Sequence, residues 1–595
     1  MTNKLGANMY GTNNQGCLFH VWAPHARNVI LRLGSGNTLN QTYPMTKNAS
    51  DNIWSVNVPG AQSGWKYHFE IQGPDWAGDD FLYRPDPNAR QMVHSASHSI
   101  IKDHRVFQWT DGKFYENFNK RTFEEMIIYE LHVSTFVGKN DGQPFPGIFQ
   151  SLKTKLDYLK NLGINTIEML PIHEYAGDSY LGYAPVAFYP VESSYGSKTG
   201  TSYDDLKDFI NTAHGKDIAV IADVVFNHFT DRMGSDKWIW NYDGDTKYSK
   251  GGIYFSGEET QWGPAPDWST PEVRRYVEDT CRFYLEELHF DGLRWDVTKE
   301  IVNKNNGSGW NGMRDILWNL RTTPGFENKI FIAEHLPYEV NIVEPGNFHS
   351  GWYVEFHHSL EKALGGNQGQ GSTVEEGING GSYNKIYQRV IYSIGHDEAR
   401  NGNQYLVSQF GSRASWDARA KCRLIGSLQF FVPGIPMMWQ GEEFFQDGVF
   451  DDYPLYDHAV NWQYQMDAPG LQMQKMYKDA IQVRQYHTAL QYGHLTWTHY
   501  KDPNGVLAFL RRDPVNGQVV LVVVNFSGTD WINNHSYGVG VGDIRCQWVQ
   551  VFCSQDAEYG GWQWAGNAFH EPWTQNDGKI YLNVPKYGVI VMRPK

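Results

Sequence analysis

Short alternating runs open the chain. Between residues 15 and 72, Cys17-Leu18-Phe19-His20-Val21-Trp22, Val29-Ile30-Leu31-Arg32-Leu33 and Tyr67-His68-Phe69-Glu70-Ile71 are separated by Gly, Pro and Asn. Apolar and polar positions at a period near two, bounded by turn formers, predict strands and hence a small all-β domain. Around Tyr83-Arg84-Pro85-Asp86-Pro87-Asn88 the paired prolines deny helix and ladder hydrogen bonds, which reads as a linking stretch.

From Met126 the pattern changes to apolar strand, polar loop and amphipathic helix in repetition, the form of βαβ units. The predicted strands are Ile127–Leu131, Thr166–Pro171, Ala219–Val225, Asp291–Asp296, Ile330–Glu334, a weaker Trp352–Phe356, Val390–Ser393 and Pro436–Trp439. Eight parallel strands make a closed barrel. Helices are predicted over Leu152–Leu162 and Tyr203–His214, with Gly163 and Gly215 as stops. After residue 495, Val506–Leu510, Val519–Val524 and Gly588–Met592 return to strand character. The expected fold is α/β: a (β/α)8 TIM barrel over 111–490, an N-terminal β-sandwich over 1–110 and a C-terminal all-β domain over 491–595. The Gly-rich stretch from Gly365 to Gly381 is expected to be a loop.

Composition narrows the partners. A net charge of −15 without a Lys/Arg-rich run argues against nucleic acid and anionic membranes. No apolar run is long enough to span a bilayer, and no export signal is visible at Met1-Thr2-Asn3-Lys4. The five cysteines, Cys17, Cys281, Cys422, Cys546 and Cys553, are scattered and odd in number, which suits reduced thiols and a cytoplasmic location. Aromatic residues reach 15%, including 22 Trp and 35 Tyr, and such flat amphipathic rings suit sugar faces as well as ordinary cores.

Candidate chemistry sits where the barrel strands end. Asp223 and His228 follow the third strand, Arg294 and Asp296 close the fourth, Glu334 closes the fifth, and His396 and Asp397 follow the seventh. These ends share the reactive face of such a barrel. Two carboxylates flanking a glycosidic bond are what acetal cleavage needs, one to protonate the leaving oxygen and one to attack. Arg294, two residues before Asp296 on one strand, points to the same side and would keep Asp296 ionised. Glu334 would need a raised pKa, from desolvation and negative neighbours. No phosphate-cradling glycine motif or nucleophilic serine elbow is present. The His357-His358 and Asp451-Asp452 pairs read as loop and surface residues, and no required metal is predicted. Asn227 with Asp231, Asp243 and Asp245 leaves room for a structural calcium.

At these residues the sequence resembles glycoside hydrolase family 13, the α-amylase superfamily. The four patterns appear in order as Asp223-Val224-Val225-Phe226-Asn227-His228, Gly292-Leu293-Arg294-Trp295-Asp296, Ala333-Glu334-His335 and Gly395-His396-Asp397-Glu398. The resemblance implies Asp296 as nucleophile, Glu334 as general acid/base and Asp397 as the aspartate that distorts and holds the sugar. It also implies Asp223, His228, Arg294 and His396 as substrate-binding groups and Tyr183 as a stacking platform. Gly16-Cys17-Leu18-Phe19-His20-Val21-Trp22-Ala23-Pro24 looks like the entry to the carbohydrate-binding-like module of branching enzymes, debranching enzymes and maltooligosyltrehalose trehalohydrolases. Glu398, the stretch Gly434–Phe444, and Trp262-Gly263 with Asp267 look like short bacterial sequences resembling glycogen branching enzymes. The implied activity is cleavage of α-1,4-glucosidic bonds through a covalent glucosyl-aspartate, with transfer to a 6-hydroxyl. Hydrolysis, trehalohydrolase-like or amylase-like, is the alternative, and a catalytically inactive glycan-binding relative is a reading of another class. An α-glucan is the expected partner.

Overall fold

The computed structural model describes residues 1–595 except 1–4, 12–14, 178–180, 233, 248–249, 367–372, 401–402, 452 and 563–569. The N-terminal module packs two antiparallel sheets. One runs Gly6–Tyr10, Gly16–Trp22, Ile53–Pro59 and Thr46–Lys47; the other joins Gln41–Pro44, Asn28–Gly34, Lys66–Gln72, Ser99–Ile100 and Gln91–Met92, with Phe81–Arg84 added on Lys66–Gln72. Alternate positions such as Phe19, Val21, Leu31, Leu33, Tyr67 and Phe69 point into a common core.

Eight parallel strands then close a barrel: β1 Ile128–Leu131, β2 Thr166–Met169, β3 Ala219–Val224, β4 Gly292–Trp295, β5 Ile330–Ala333, β6 Ser350–Trp352, β7 Arg389–Tyr392 and β8 Ile435–Trp439. Every residue of these strands is buried, as a sheet covered by helices outside and side chains inside requires. The C-terminal domain is a five-stranded antiparallel sheet of His494–His499, Val506–Arg512, Val519–Asn525, Gly588–Pro594 and Trp548–Cys553, with Tyr537–Gly540 paired to Lys579–Leu582. The five cysteines form no disulfide, and no helix is long and apolar enough to cross a membrane among the described residues.

Several local expectations are corrected. The sixth strand lies at Ser350–Trp352, and the residues taken for its second half begin the helix Glu355–Ala363. Ladders to β5 and β7 on both sides hold this weak Ser-Gly-Trp segment in strand form. Gly163 does end its helix in the left-handed region, at φ +107°, but Gly215 lies inside Ser202–Gly215 and Asp217 makes the left-handed turn beyond it. The expected linker is structural: Phe81–Arg84 is a strand, and Asp86, Asn88 and Arg90 are buried against the barrel. The prolines end the strand, and their freed carbonyls accept barrel hydroxyls, Tyr242 Oη to Pro85 and Tyr276 Oη to Pro87. Within Gly365–Gly381, Thr373 and Glu376 form a capping box that starts the helix Val374–Asn379; residues 367–372 lie outside the described residues. His357 is buried on a helix, its Nδ1 2.5 Å from the Ser393 carbonyl oxygen, and is not a surface residue; Asp452 lies outside the described residues.

Candidate active site

Arg294 organises the reactive face. It ends β4 pointing into the barrel, fully buried, with its guanidinium 4.2 Å from the centre of the Trp352 ring on β6. Nη1 donates to both Asp223 oxygens at 2.9 and 2.8 Å and to Asp296 Oδ1 at 2.9 Å. Nη2 lies 2.8 Å from Glu334 Oε2. One planar cation thus holds carboxylates from the ends of β3, β4 and β5, a fork geometry that lysine lacks.

Asp296 has a second donor: Asn227 Nδ2 reaches Oδ2 at 2.7 Å and the Asp296 carbonyl at 2.9 Å. Burial raises its pKa above the ordinary range, while Arg294 and Asn227 pull the other way and Asp223 adds to the rise. Arg294 therefore opposes the desolvation cost without erasing it. Glu334 behaves differently. Burial lifts its pKa to about 7, opposed by Arg294 and reinforced by Asp296 and Asp397. The amide of Val297 donates to Glu334 Oε2 at 2.9 Å, from a left-handed conformation (φ 35°, ψ 55°) that costs a β-branched residue strain.

The remaining predicted residues converge here. Tyr183 donates its hydroxyl to Asp223 at 2.6 Å, and its ring stacks on His396 at 5.1 Å between centres. His228 places Nε2 3.0 Å from the Tyr183 carbonyl and Nδ1 against the Asn227 side-chain oxygen; burial lowers its pKa to about 4, leaving it neutral. Asp397 is the most open of the acids, its side chain 41% exposed and Oδ1 3.6 Å from His396 Nε2. The exposed ring of Trp262, in the 260–263 turn, tilts toward His228 at 5.9 Å and extends the wall.

Two residues escaped the sequence reading. Glu130, in the middle of β1, takes His396 Nδ1–H at 2.6 Å and the His396 backbone N–H at 3.2 Å. With Asp397 it raises the His396 pKa to about 10 against the effect of burial, so the ring is an imidazolium. Glu168 on β2 is buried nearby, and burial with the charge of Glu130 pushes its pKa well above the usual range. The available signal was an acid inside an apolar strand, which must be paired or protonated. Asn227, offered as a calcium ligand, instead turns its amide to Asp296. Asp243 and Asp245 face His25 of the N-terminal module at 3.0 and 3.5 Å. Among the described residues no group of three or more His, Cys, Asp or Glu is arranged to hold a metal ion.

Residues 4–89 match carbohydrate-binding module 48 (isoamylase N-terminal domain), 107–255 the α-amylase catalytic domain and 497–595 the α-amylase C-terminal all-β domain. The chain belongs to the α-amylase superfamily, glycoside hydrolase family 13. The catalytic match carries Asp223 and His228 and stops before Asp296, Glu334 and Asp397. Within the superfamily, the chain is 25% identical to a 1,4-alpha-glucan branching enzyme of Marinobacter nauticus, over 100% of this chain and 96% of the relative. It is 28% identical to a malto-oligosyltrehalose trehalohydrolase of Saccharolobus solfataricus, over 74% of this chain and 76% of the relative. Two solved structures share the fold across the whole chain. One is a putative α-amylase from Salmonella typhimurium (TM-score 0.75, 20% identity, 100% of both chains). The other is a pullulanase from Paenibacillus barengoltzii in complex with maltohexaose and α-cyclodextrin (TM-score 0.77, 18% identity, 100% of this chain and 96% of the other).

Proposed function

We propose that the protein is a retaining α-glucan-active enzyme that cleaves α-1,4-glucosidic bonds and transfers the cleaved segment to a glucan 6-hydroxyl. The observation that carries this reading is the bridging of Asp296 and Glu334 by one Arg294 guanidinium. A single guanidinium spans only closely spaced carboxyl groups, which suits retaining chemistry, where they stand roughly 5 Å apart, better than the wider gap that holds a water in inverting enzymes.

In the first step Glu334, protonated at its raised pKa, gives its proton to the leaving oxygen while Asp296 attacks the anomeric carbon. The glucosyl C–O bond breaks as the ester to Asp296 forms, and the departing chain leaves as an alcohol. Glu334, now ionised, takes a proton from the acceptor hydroxyl, whose oxygen replaces the Asp296 carboxylate. Imidazolium His396 and Asp397 face the sugar from the β7 side, neutral His228 from the β3 side, and Tyr183 offers a ring face. The retained set of acids with Arg294 argues against an inactive glycan-binding relative.

Acceptor choice separates transfer from hydrolysis. The relative named as a branching enzyme is matched over nearly its full length, which favours transfer; the trehalohydrolase relative keeps a water acceptor as the second reading. Incubation with amylose, following iodine absorbance and reducing ends together, tests the choice. Branching lowers colour with few new reducing ends, whereas reducing ends rising in step with colour loss assign the water acceptor.

A further inference from the structure

Three polar side chains meet on the second sheet of the N-terminal module, apart from the residues gathered around Arg294. His68 stands on Lys66–Gln72, Tyr83 on the added strand Phe81–Arg84, and His98 ends the turn that leads into Ser99–Ile100. Strand pairing puts them on one face. Ser99 lies opposite Tyr67, which sets His98 beside His68, and Tyr83 lies opposite Glu70, two residues from His68 on the same side of its strand.

His68 Nδ1 and His98 Nδ1 stand 3.3 Å apart, and the Tyr83 hydroxyl is 3.1 Å from His98 Nδ1. The two imidazole planes are within 13° of parallel, with centres 5.2 Å apart. Nitrogens so much closer than the ring centres place the rings edge to edge, so both Nδ1 atoms face one gap. Hydrogen bonding satisfies this trio poorly. An imidazole nitrogen offers one lone pair or one proton, so His98 Nδ1 cannot fully serve both Tyr83 and His68, and the spacing of the nitrogens exceeds the roughly 2.7–3.2 Å usual for an N–H donor.

A metal ion satisfies it better. Two donors about 2.0–2.1 Å from a tetrahedral zinc ion stand about 3.3–3.4 Å from each other, the spacing of the two nitrogens here. The Tyr83 oxygen suits a third corner; it is a phenol rather than a His, Cys, Asp or Glu group, and its exposed side chain leaves the fourth corner to water. Glu70 Oε1 lies 3.8 Å from His68 Nε2, a placing that favours the proton on Nε2 and leaves the Nδ1 lone pair to the gap. Both rings are held in the neutral form that ligates metals. Burial, then His98 and Arg32, lower the His68 pKa to about 3, and burial, then Lys66 and His94, lower that of His98. Arg32 is itself paired with Glu70 at 2.9 Å.

We propose that His68, His98 and Tyr83 form a binding site for a divalent transition-metal ion of the zinc class. The ion would join the strand Lys66–Gln72, the added strand Phe81–Arg84 and the turn before Ser99. That turn also meets the barrel, where Ser95 Oγ donates to Asp236 at 2.9 Å and the Ser95 carbonyl accepts Trp238 Nε1 at 2.8 Å. Its role is to brace the module where it docks.

Calorimetric titration of the full-length, tag-free, chelator-treated protein with zinc chloride tests the site. The wild-type chain should take up one equivalent that His68→Gln and His98→Gln each bind at least about tenfold more weakly. Its melting temperature should rise with zinc, and theirs should not. His535→Gln, which disrupts the stacked His535–His570 pair of the C-terminal domain, should keep the equivalent. Absence of zinc uptake by the wild-type protein, unchanged affinity in either of the first two variants, or loss of the equivalent in His535→Gln overturns the proposal. Should His68→Gln and His98→Gln fail to fold, Tyr83→Phe, which deletes only one oxygen, decides: weakened zinc binding supports the site and unchanged binding overturns it.

Discussion

Asp296 and Glu334 carry the same carboxyl group and are set apart by their surroundings. Asp296 accepts from Arg294 and Asn227 at once, which favours its ionised form, while Glu334 is lifted to about 7 by burial and two negative neighbours. The protonated Glu334 is the working acid, so kcat/KM should fall as pH rises through about 7. Glu334→Gln should remove that limb and lower the rate on amylose by about 10^2–10^4-fold, the usual share of a positioned acid. A rate profile still falling near pH 7 in the variant would assign the limb to another group. Glu130 acts through His396. In Glu130→Gln the His396 pKa, about 10 in the native protein, should move down, as followed by imidazole NMR, with a loss in kcat larger than in stability. Asp223, Arg294, Asp296 and Glu334 were legible because their strand-end positions share one face. Glu130 was not, since a single acid among the four apolar residues of Ile127–Leu131 reveals its partner only once the barrel closes through β8 and brings His396, after β7, against β1.

Elements were read well where periodicity was strong and poorly where neighbours impose structure. β1 to β5 are apolar runs that any parallel sheet would bury, and each lies within a residue or two of its predicted place. β6 is Ser-Gly-Trp, with no apolar alternation, and exists because β5 and β7 supply both ladders. The segment around Tyr83–Asn88 looked like a linker from its prolines, yet with Arg90 it is the seam between module and barrel. Arg90 is a buried electrostatic tie of that seam. Its bonds hold the Glu287 pKa at about 2 against burial. Arg90→Ala would leave Glu287 buried without its partner and should cost about 3–5 kcal/mol in denaturant unfolding. A loss below about 1 kcal/mol would mean that water replaces the guanidinium without penalty.

Across the whole molecule, buried acids and histidines set a stability optimum. The folded state lifts Glu398 and Glu442 to about 8 and Glu443 to about 7, so it keeps protons that the unfolded chain releases above its ordinary carboxyl range. Stability from these groups is full at acid pH and is lost as pH rises to about 8. Buried His132, His173 and His349, lowered to about 3, act oppositely: below about 6.5 the unfolded chain binds protons that the folded chain refuses. Between the ordinary carboxyl value of 4.5 and the ordinary imidazole value of 6.5 the three acids and three histidines offset each other, so from these groups Tm should be flat there and decline toward pH 8. Glu442→Gln, where Tyr477, Ser393 and Gln429 surround the carboxyl, should flatten the alkaline side, and an unaltered slope would remove Glu442 as a cause. None of this was visible in composition, which gives charge but not burial.

The proposed chemistry as a whole depends on Asp296 forming a bond to the sugar. Glu334→Gln protein can be exposed to α-maltotriosyl fluoride, whose leaving group needs no proton and whose product the variant cannot readily release. Peptide mapping by mass spectrometry should then find one maltotriosyl group on the peptide containing Asp296. An adduct on any other residue, or complete turnover of the fluoride with inverted anomeric configuration and no adduct, would contradict it.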